Sequence, residues 1–443
     1  MKYYNKFLLA AAVVAGLVSV SCEDQPDAFK MTGGVPTVEY IRSVDVEQAD
    51  VIITSAYMGN QICLVGENLC SIHEMYFNDQ KAVLNTSLIT DHTLIVSVPN
   101  SIPEEVSNKI YMHTRDGEIA TYDFSVFVPG PVITGMSCEY APAGSVAVLY
   151  GDYFIDDPNV PFKMMFGDVE VTEVRSITKN SVTFVVPDDA VADVNITVET
   201  IYGTDTSALQ YMDSRGLMFD FDGVTGLVGN GWHAQAPLTD DTAISGNFIV
   251  LGNGDAEMTE DGGWNDDAFF FPYWCGSWDD PQNVTSGEGV ALFNIVDFTE
   301  WQDMSLKFEM FIPSSNPWSA GAMQIVFEGI DRITLSGNPV DGYDTVGGAT
   351  NSQFSDDVIG NWARALYRPW ATTGSFHTDD QWITVTIPFT DFLYDYKGDP
   401  ASAGPGKAED FASLTIFVVG GGLDGTACKP IIKIDNIRAV PNK

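Results

Sequence analysis

Residues 62–69 read ICLVGENL and residues 147–154 read AVLYGDYF: twice, a strand-like apolar run ends in glycine, an acid, a polar residue and a large apolar one. Working outward, the order of landmarks is kept. Phe77-Asn78-Asp79 returns as Phe166-Gly167-Asp168, Ile89-Thr90 as Ile177-Thr178, Val98-Pro99 as Val186-Pro187 and Gly117 as Gly203. Two copies of one module are the simplest account. Each holds short β-branched runs, such as Leu94 to Val98 and Ser181 to Val186, cut by Gly, Asp, Asn and Pro at strand-like intervals.

That length and rhythm describe an immunoglobulin-like sandwich. The recurring pattern resembles the TIG (transcription-factor immunoglobulin-like) family across about residues 36–213, although the first copy has Asn78 where that family usually has glycine. The stiff turn Val128-Pro129-Gly130-Pro131 separates the copies, giving modules at 36–129 and 130–213.

Composition agrees with an all-β chain. There are 443 residues, 45% of them hydrophobic and 12% aromatic, with 40 glycines and 22 prolines, a turn-rich balance that suits antiparallel sheets. Against 61 Asp and Glu stand 21 Lys and Arg, a net charge of −40 that repels a phosphate backbone and excludes nucleic acid as a partner. Six cysteines are too few for a disulfide scaffold, and five histidines leave little for histidine-built catalysis. Among the cysteines, Cys63 with Cys70 and Cys275 with Cys428 are the pairs that could form within one domain; spacing does not decide it.

The N-terminus reads as an address. Lys2 and Lys6 precede an uncharged apolar stretch from Phe7 to Val18, too short to span a bilayer, and Leu17 to Ser21 leads into Cys22. Residues 1–21 are thus expected to be a signal peptide. The small residues before Cys22 resemble a bacterial lipobox, which implies lipidation of that cysteine, and Glu23-Asp24-Gln25-Pro26-Asp27 resembles the acidic surface-export signal of Bacteroidetes lipoproteins. Residues 22–35 would then be a lipidated tether, and the body would meet the outer membrane only through that anchor.

All nine tryptophans lie at or beyond Trp232. This C-terminal part, 214–443, again reads as strands: Leu306, Phe308 and Met310 alternate with Lys307 and Glu309, and Ile383, Val385 and Ile387 with Thr384 and Thr386. Its opening, Phe219-Asp220-Phe221-Asp222-Gly223 with Gly231-Trp232, its segment Trp382 to Pro388 followed by Asp391-Phe392, and its close, Ile434 to Arg438, resemble jelly-roll carbohydrate-binding modules. The fold expected is therefore two TIG-type immunoglobulin-like β-sandwiches followed by a larger jelly-roll β-sandwich.

Taken together, the mature chain resembles Bacteroidetes surface glycan-binding proteins with tandem TIG spacers. That resemblance implies non-catalytic capture of a polysaccharide at the outer membrane, beside a transporter, its surface lipoprotein partner and a surface glycanase. A β-linked glucan of the xyloglucan or mixed-linkage type is the ligand it suggests. By the same resemblance Asp220, Asp222 and Asp435 would supply ligands to a structural Ca2+, with ordinary exposed strand acids as the alternative; no other cofactor is required.

The aromatics point to glycans on their own account. A flat ring covers the apolar C–H face of a sugar, while amides and carboxylates take its hydroxyls. Residues 264–278, WNDDAFFFPYWCGSW, are flanked by Gly262 and Gly263 and broken by Pro272 and Gly276, which suits loops. Trp264, Tyr273, Trp274 and Trp278 are candidate platforms, as are Trp318, Tyr367 and Trp370, each equally able to pin a loop. Phe269, Phe270 and Phe271 read as core, and Trp301 and Trp382 as structural.

Two other classes compete. A glycoside hydrolase needs two carboxylates held about 5 to 10 Å apart, and jelly-roll glucanases set them as Glu-x-Asp-x-x-Glu, a string absent here; the adjacent acid pairs at 266–267, 279–280, 356–357 and 379–380 read as solvated loops. Gly420 to Gly425 matches a dinucleotide fingerprint, but a strand follows it where a helix is needed. A surface adhesion protein binding another protein remains the runner-up.

Overall fold

The repeated glycines mark the same crowded crossing in both copies. A Cβ on Gly66 would lie 1.9 Å from the carbonyl oxygen of Thr37, and one on Gly151 would lie 2.1 Å from that of Val132. In each copy the neighbouring strand bulges beside that point, between Val38 and Tyr40 in the first and between Ile133 and Gly135 in the second. The molecule is a computed structural model that describes residues 29–48, 50–231, 233–276, 289–329 and 362–443. Cys22, Trp232 and Trp278 lie outside the described residues. The chain divides into two compact units, one ending at Pro129 and including Asp156–Val160, the other holding Gly130–Ile155 and Pro161–Lys443.

The first unit is a sandwich. One sheet orders strands Thr37–Ser43, Gln61–Glu67 and Thr93–Ser97; the other orders Gln80–Lys81, Ile72–Phe77, Lys109–Thr114 and Ile119–Asp123. Burial alternates along them, and the buried side chains, among them Ile62, Leu64, Leu94, Met75, Phe77 and Ile110, form the core. Asn78 takes the left-handed backbone (φ 54°) that Gly167 takes in the second copy (φ 56°). Asparagine tolerates that conformation, and its Oδ1 accepts hydrogen bonds from the Ser107 and Asn108 amides at 3.1 and 2.8 Å.

The second unit contains two sandwiches. The immunoglobulin-like one pairs Val132–Met136, Val146–Asp152, Ser181–Val185 and Val174–Ile177 in one sheet, with Val169–Glu170, Lys163–Phe166, Val194–Thr200 and Gly203–Tyr211 in the other. Leu149, Phe166, Val182, Phe184, Ile196 and Tyr211 fill its core. In the larger one, Leu217–Phe219, Ile432–Pro441, Met304–Phe311 and Ile383–Pro388 form a sheet, with Ile249–Leu251 also on Ile432–Pro441. Its facing sheet orders Phe270–Tyr273, Ser413–Val418, Met323–Glu328 and Ala365–Tyr367. First and last strands do pair, Leu217 opposite Arg438.

The strand Met304–Phe311 is buried at all eight positions. Its apolar side faces the jelly-roll core, as the alternation requires, but on the other side Lys307 meets Glu139 of the immunoglobulin-like sandwich directly, and Glu309 is linked to Glu139 through Arg438 of the last jelly-roll strand. Gly130–Ile155 and Pro161–Lys443, which hold both of these sandwiches, are therefore one packed unit.

Candidate functional site

Among the described tryptophans only Trp264 is exposed, at 50%. It follows a turn that the sequence builds from Gly262 and Gly263. The Gly262 carbonyl accepts from the Gly420 amide at 2.8 Å, and the Gly263 amide donates to Thr259 Oγ1 at 2.8 Å. A Cβ on Gly262 would stand 2.5 Å from the Gly420 nitrogen. The indole stands edge-on to Phe417 of the core, with centroids 4.8 Å apart and planes at 83°, a contact that fixes the ring while half of its surface remains exposed.

Beside Trp264 lies a cleft of about 350 Å3, walled by Tyr396 and Lys397 on one side and Gly420 to Gly422 on another, with Gln324 and Val419 beneath. The glycines are required. Gly421 and Gly422 have φ of 90° and 72°, and a Cβ on them would stand 2.4 Å from Ala322 Cβ and 2.2 Å from the Lys397 carbonyl oxygen. The Lys397 ammonium lies 5.1 Å from the Tyr396 ring centroid.

Buried Gln324 sets this geometry. Its Nε2 donates to the carbonyls of Tyr396 (3.0 Å) and Val419 (2.9 Å), while its Oε1 accepts from Arg364 Nη1 at 3.0 Å. Burial lowers the Arg364 guanidinium to about 10, and Glu328 and Asp395 oppose that shift. Glu328, wholly buried nearby, is pushed up to about 8 by burial, against the pull of Arg364.

The remaining candidates fall elsewhere. Tyr273, Trp274, Trp318 and Trp370 are buried in the jelly-roll core, so they offer no face to a ligand. The Tyr273 hydroxyl donates to the Val290 carbonyl at 2.6 Å, and the Trp318 and Trp370 indoles donate to the carbonyls of Ala320 (2.7 Å) and Gly321 (2.9 Å). These are rings that pin loops. Tyr367 is half-buried at a second cleft, its phenol pushed up to about 12 by burial. Trp278 lies outside the described residues. Phe269, Phe270 and Phe271 are buried, Trp301 packs on Phe411, and Trp382 packs on Phe248 and Phe311.

The three acids named for calcium do not converge. Asp220 accepts from the amides of Val224 (2.8 Å) and Thr225 (3.3 Å), Asp222 from the Asn247 amide (2.6 Å), and Asp435 from Ser245 Oγ (3.2 Å) and the Asn436 amide (2.7 Å). Each carboxylate accepts from its own protein donors, Asp222 lies near enough to Asp435 to help raise its pKa, and the three acids do not form a set of ligand groups within 4.8 Å of one another. A set of ligand groups within 4.8 Å of one another among the described residues is Glu67, Asp91 and His92, in the first unit. Neither Cys63 with Cys70 nor Cys275 with Cys428 forms a disulfide.

Of the residues lining this cleft, the sequence reading named Trp264 and did not name Tyr396, Lys397, Gln324 or the glycine wall. The available signal was Tyr394-Asp395-Tyr396-Lys397-Gly398-Asp399-Pro400, aromatics interleaved with turn formers.

Comparison with known proteins meets this geometry. Residues 211–441 match the family model described as the surface glycan-binding protein B xyloglucan binding domain. The crystal structure of surface glycan-binding protein PbSGBP-B from Prevotella bryantii is similar at 42% identity and a TM-score of 0.81, covering 93% of this chain and all of that one. An IPT/TIG domain-containing protein of Bacteroides ovatus is 31% identical over 155 residues, which are 33% of this chain and 30% of that relative; the match thus spans less than a third of the relative's length.

Proposed function

The chain belongs to the surface glycan-binding protein B family, and from that premise we propose that its C-terminal sandwich holds a β-linked glucan of xyloglucan or mixed-linkage type in the Trp264 cleft. The observation behind this is the pairing of one exposed indole with a narrow wall of glycine backbone. A pyranose lays its C–H face on the indole, and Tyr396 and the Lys397 ammonium line the same cleft for its ring hydroxyls, while Gln324 holds the Tyr396 and Val419 carbonyls in place. Binding without catalysis is consistent with the family to which the chain is matched, whose members are surface glycan-binding proteins.

The protein acts at the cell surface, as its family does. We infer that Cys22 carries the lipid that holds it in the outer membrane, with residues 36–129 and 130–213 as spacers. Release of bound polymer to a glycanase and an outer-membrane transporter completes the reading, and no cofactor enters it. Affinity electrophoresis of the mature protein tests it. Retardation in gels containing xyloglucan or mixed-linkage glucan, but not in gels containing an α-linked glucan, is the expected result, and equal mobility in all gels contradicts it.

A further inference from the structure

The segment from Asp391 to Asp399 borders two clefts. Tyr396 and Lys397 wall the Trp264 cleft, whereas Asp391, Leu393 and Tyr394 wall a second of about 400 Å3, closed opposite by Tyr367 and by Thr386 of strand Ile383–Pro388. The segment is firmly held between them. Tyr394 and Arg364 exchange backbone hydrogen bonds of 2.9 and 3.2 Å, and the Asp395 carboxylate accepts from the Lys397 and Asp399 amides, both at 2.9 Å.

Within residues 214–443, the exposed aromatic side chains among the described residues are Trp264 and Tyr394, at 50% and 37%, and each stands at one of these clefts. Leu393 beside Tyr394 is 57% exposed, and Asp391 and Thr386, both exposed, bring a carboxylate and a hydroxyl to the same cleft. Exposed apolar side chains next to hydroxyl-binding groups reproduce the chemistry of the first cleft, at the other end of one short, fixed segment. A polysaccharide is long enough to need more than one such place.

We propose that the Tyr394 cleft is a second glycan subsite, which takes a further stretch of the same polymer chain that lies on Trp264. The inference rests on the glycan-binding reading above. Calorimetry on the full mature chain, with xyloglucan polysaccharide and with a single-repeat xyloglucan oligosaccharide, tests both and separates them. Tyr394→Ala and, independently, Leu393→Ser should each weaken polysaccharide binding on the order of five- to tenfold while leaving the oligosaccharide affinity and the melting temperature unchanged. Trp264→Ala should weaken both ligands. Polysaccharide affinity undiminished in both cleft variants, or an equal loss on both ligands, overturns the second subsite and leaves the first standing. A parent protein that binds neither ligand overturns the glycan reading and this inference with it.

Discussion

Glu139 Oε2 accepts a hydrogen bond from Arg438 Nη2 at 2.8 Å, joining the immunoglobulin-like sandwich of residues 130–213 to the last strand of the jelly roll. Both side chains are buried. The other oxygen of Glu139 takes Lys307 Nζ at 2.6 Å, Arg438 also reaches Glu309 at 2.8 and 3.1 Å, and the Arg438 guanidinium sits 4.7 Å from the Tyr140 ring centroid. Two carboxylates thus balance two cations out of water. Removing one member leaves an unbalanced buried charge, which is far more costly than the pair itself is worth.

Glu139→Ala should therefore destabilise the second unit by about 3–5 kcal/mol. By the same reasoning residues 214–443 alone, which lack Glu139, should melt well below residues 130–443, which should unfold in one transition. Calorimetric scans of the two fragments check this; equal melting temperatures would show the network to be dispensable.

How much of this was legible in the sequence depends on the kind of residue. Gly66 and Gly151 announced the repeat because a neighbouring carbonyl lies where a Cβ would be, a local demand that leaves a visible mark. Trp274, Trp318 and Trp370 misled because their Gly, Pro and Ser neighbours signal loops; that those rings point inward depends on which elements close over them, and no local pattern records that. The polar side of Met304–Phe311 read as an ordinary alternating strand, since its cover comes from Glu139, far away in the chain. Gly420 to Gly422 showed only as a failed nucleotide motif, because a wall of backbone has no side chains to read.

Trp274→Ala should act on stability and not on binding. Its indole is 2% exposed in the jelly-roll core, so truncation should cost about 3–5 kcal/mol. The measurement is chemical denaturation, and an unchanged midpoint would contradict the burial.

Buried acids set a pH dependence. Burial pushes Glu328 and Asp435 up to about 8 each, well above their unfolded values, and neither Glu328 oxygen has a hydrogen-bond partner among the described residues. The folded state therefore holds more protons than the unfolded one between about pH 4 and pH 8, so the stability these groups contribute is present at the acidic end and is lost as pH rises through 8. Glu328→Gln should raise the melting temperature relative to the parent at pH 8 and leave it nearly unchanged at pH 5. An equal difference at both pH values would place Glu328 in a different environment.

Metal removal should do nothing. Because Asp220, Asp222 and Asp435 do not bring three ligand groups within 4.8 Å of one another, dialysis against a chelator should leave the melting temperature and the glycan affinity where they were. A fall in either, restored by Ca2+, would show that these acids hold a cation.

Alanine at Gly421 or Gly422 tests the backbone wall. The added methyl must displace Ala322 or the Lys397 carbonyl from a left-handed position, which narrows the cleft. Glycan affinity should fall at least tenfold, read by calorimetry; a variant binding as the parent does would remove the glycine segment from the site.

The most direct measurement of the central claim is the affinity of Trp264→Ala for xyloglucan by isothermal titration calorimetry, with its melting temperature taken alongside. A half-exposed ring can be truncated without opening the core, so the variant should fold as the parent does and lose about 1–3 kcal/mol of binding free energy, as other flat-ring stacking contacts do. Unchanged affinity in a folded Trp264→Ala variant would contradict the assignment of the glycan to this cleft.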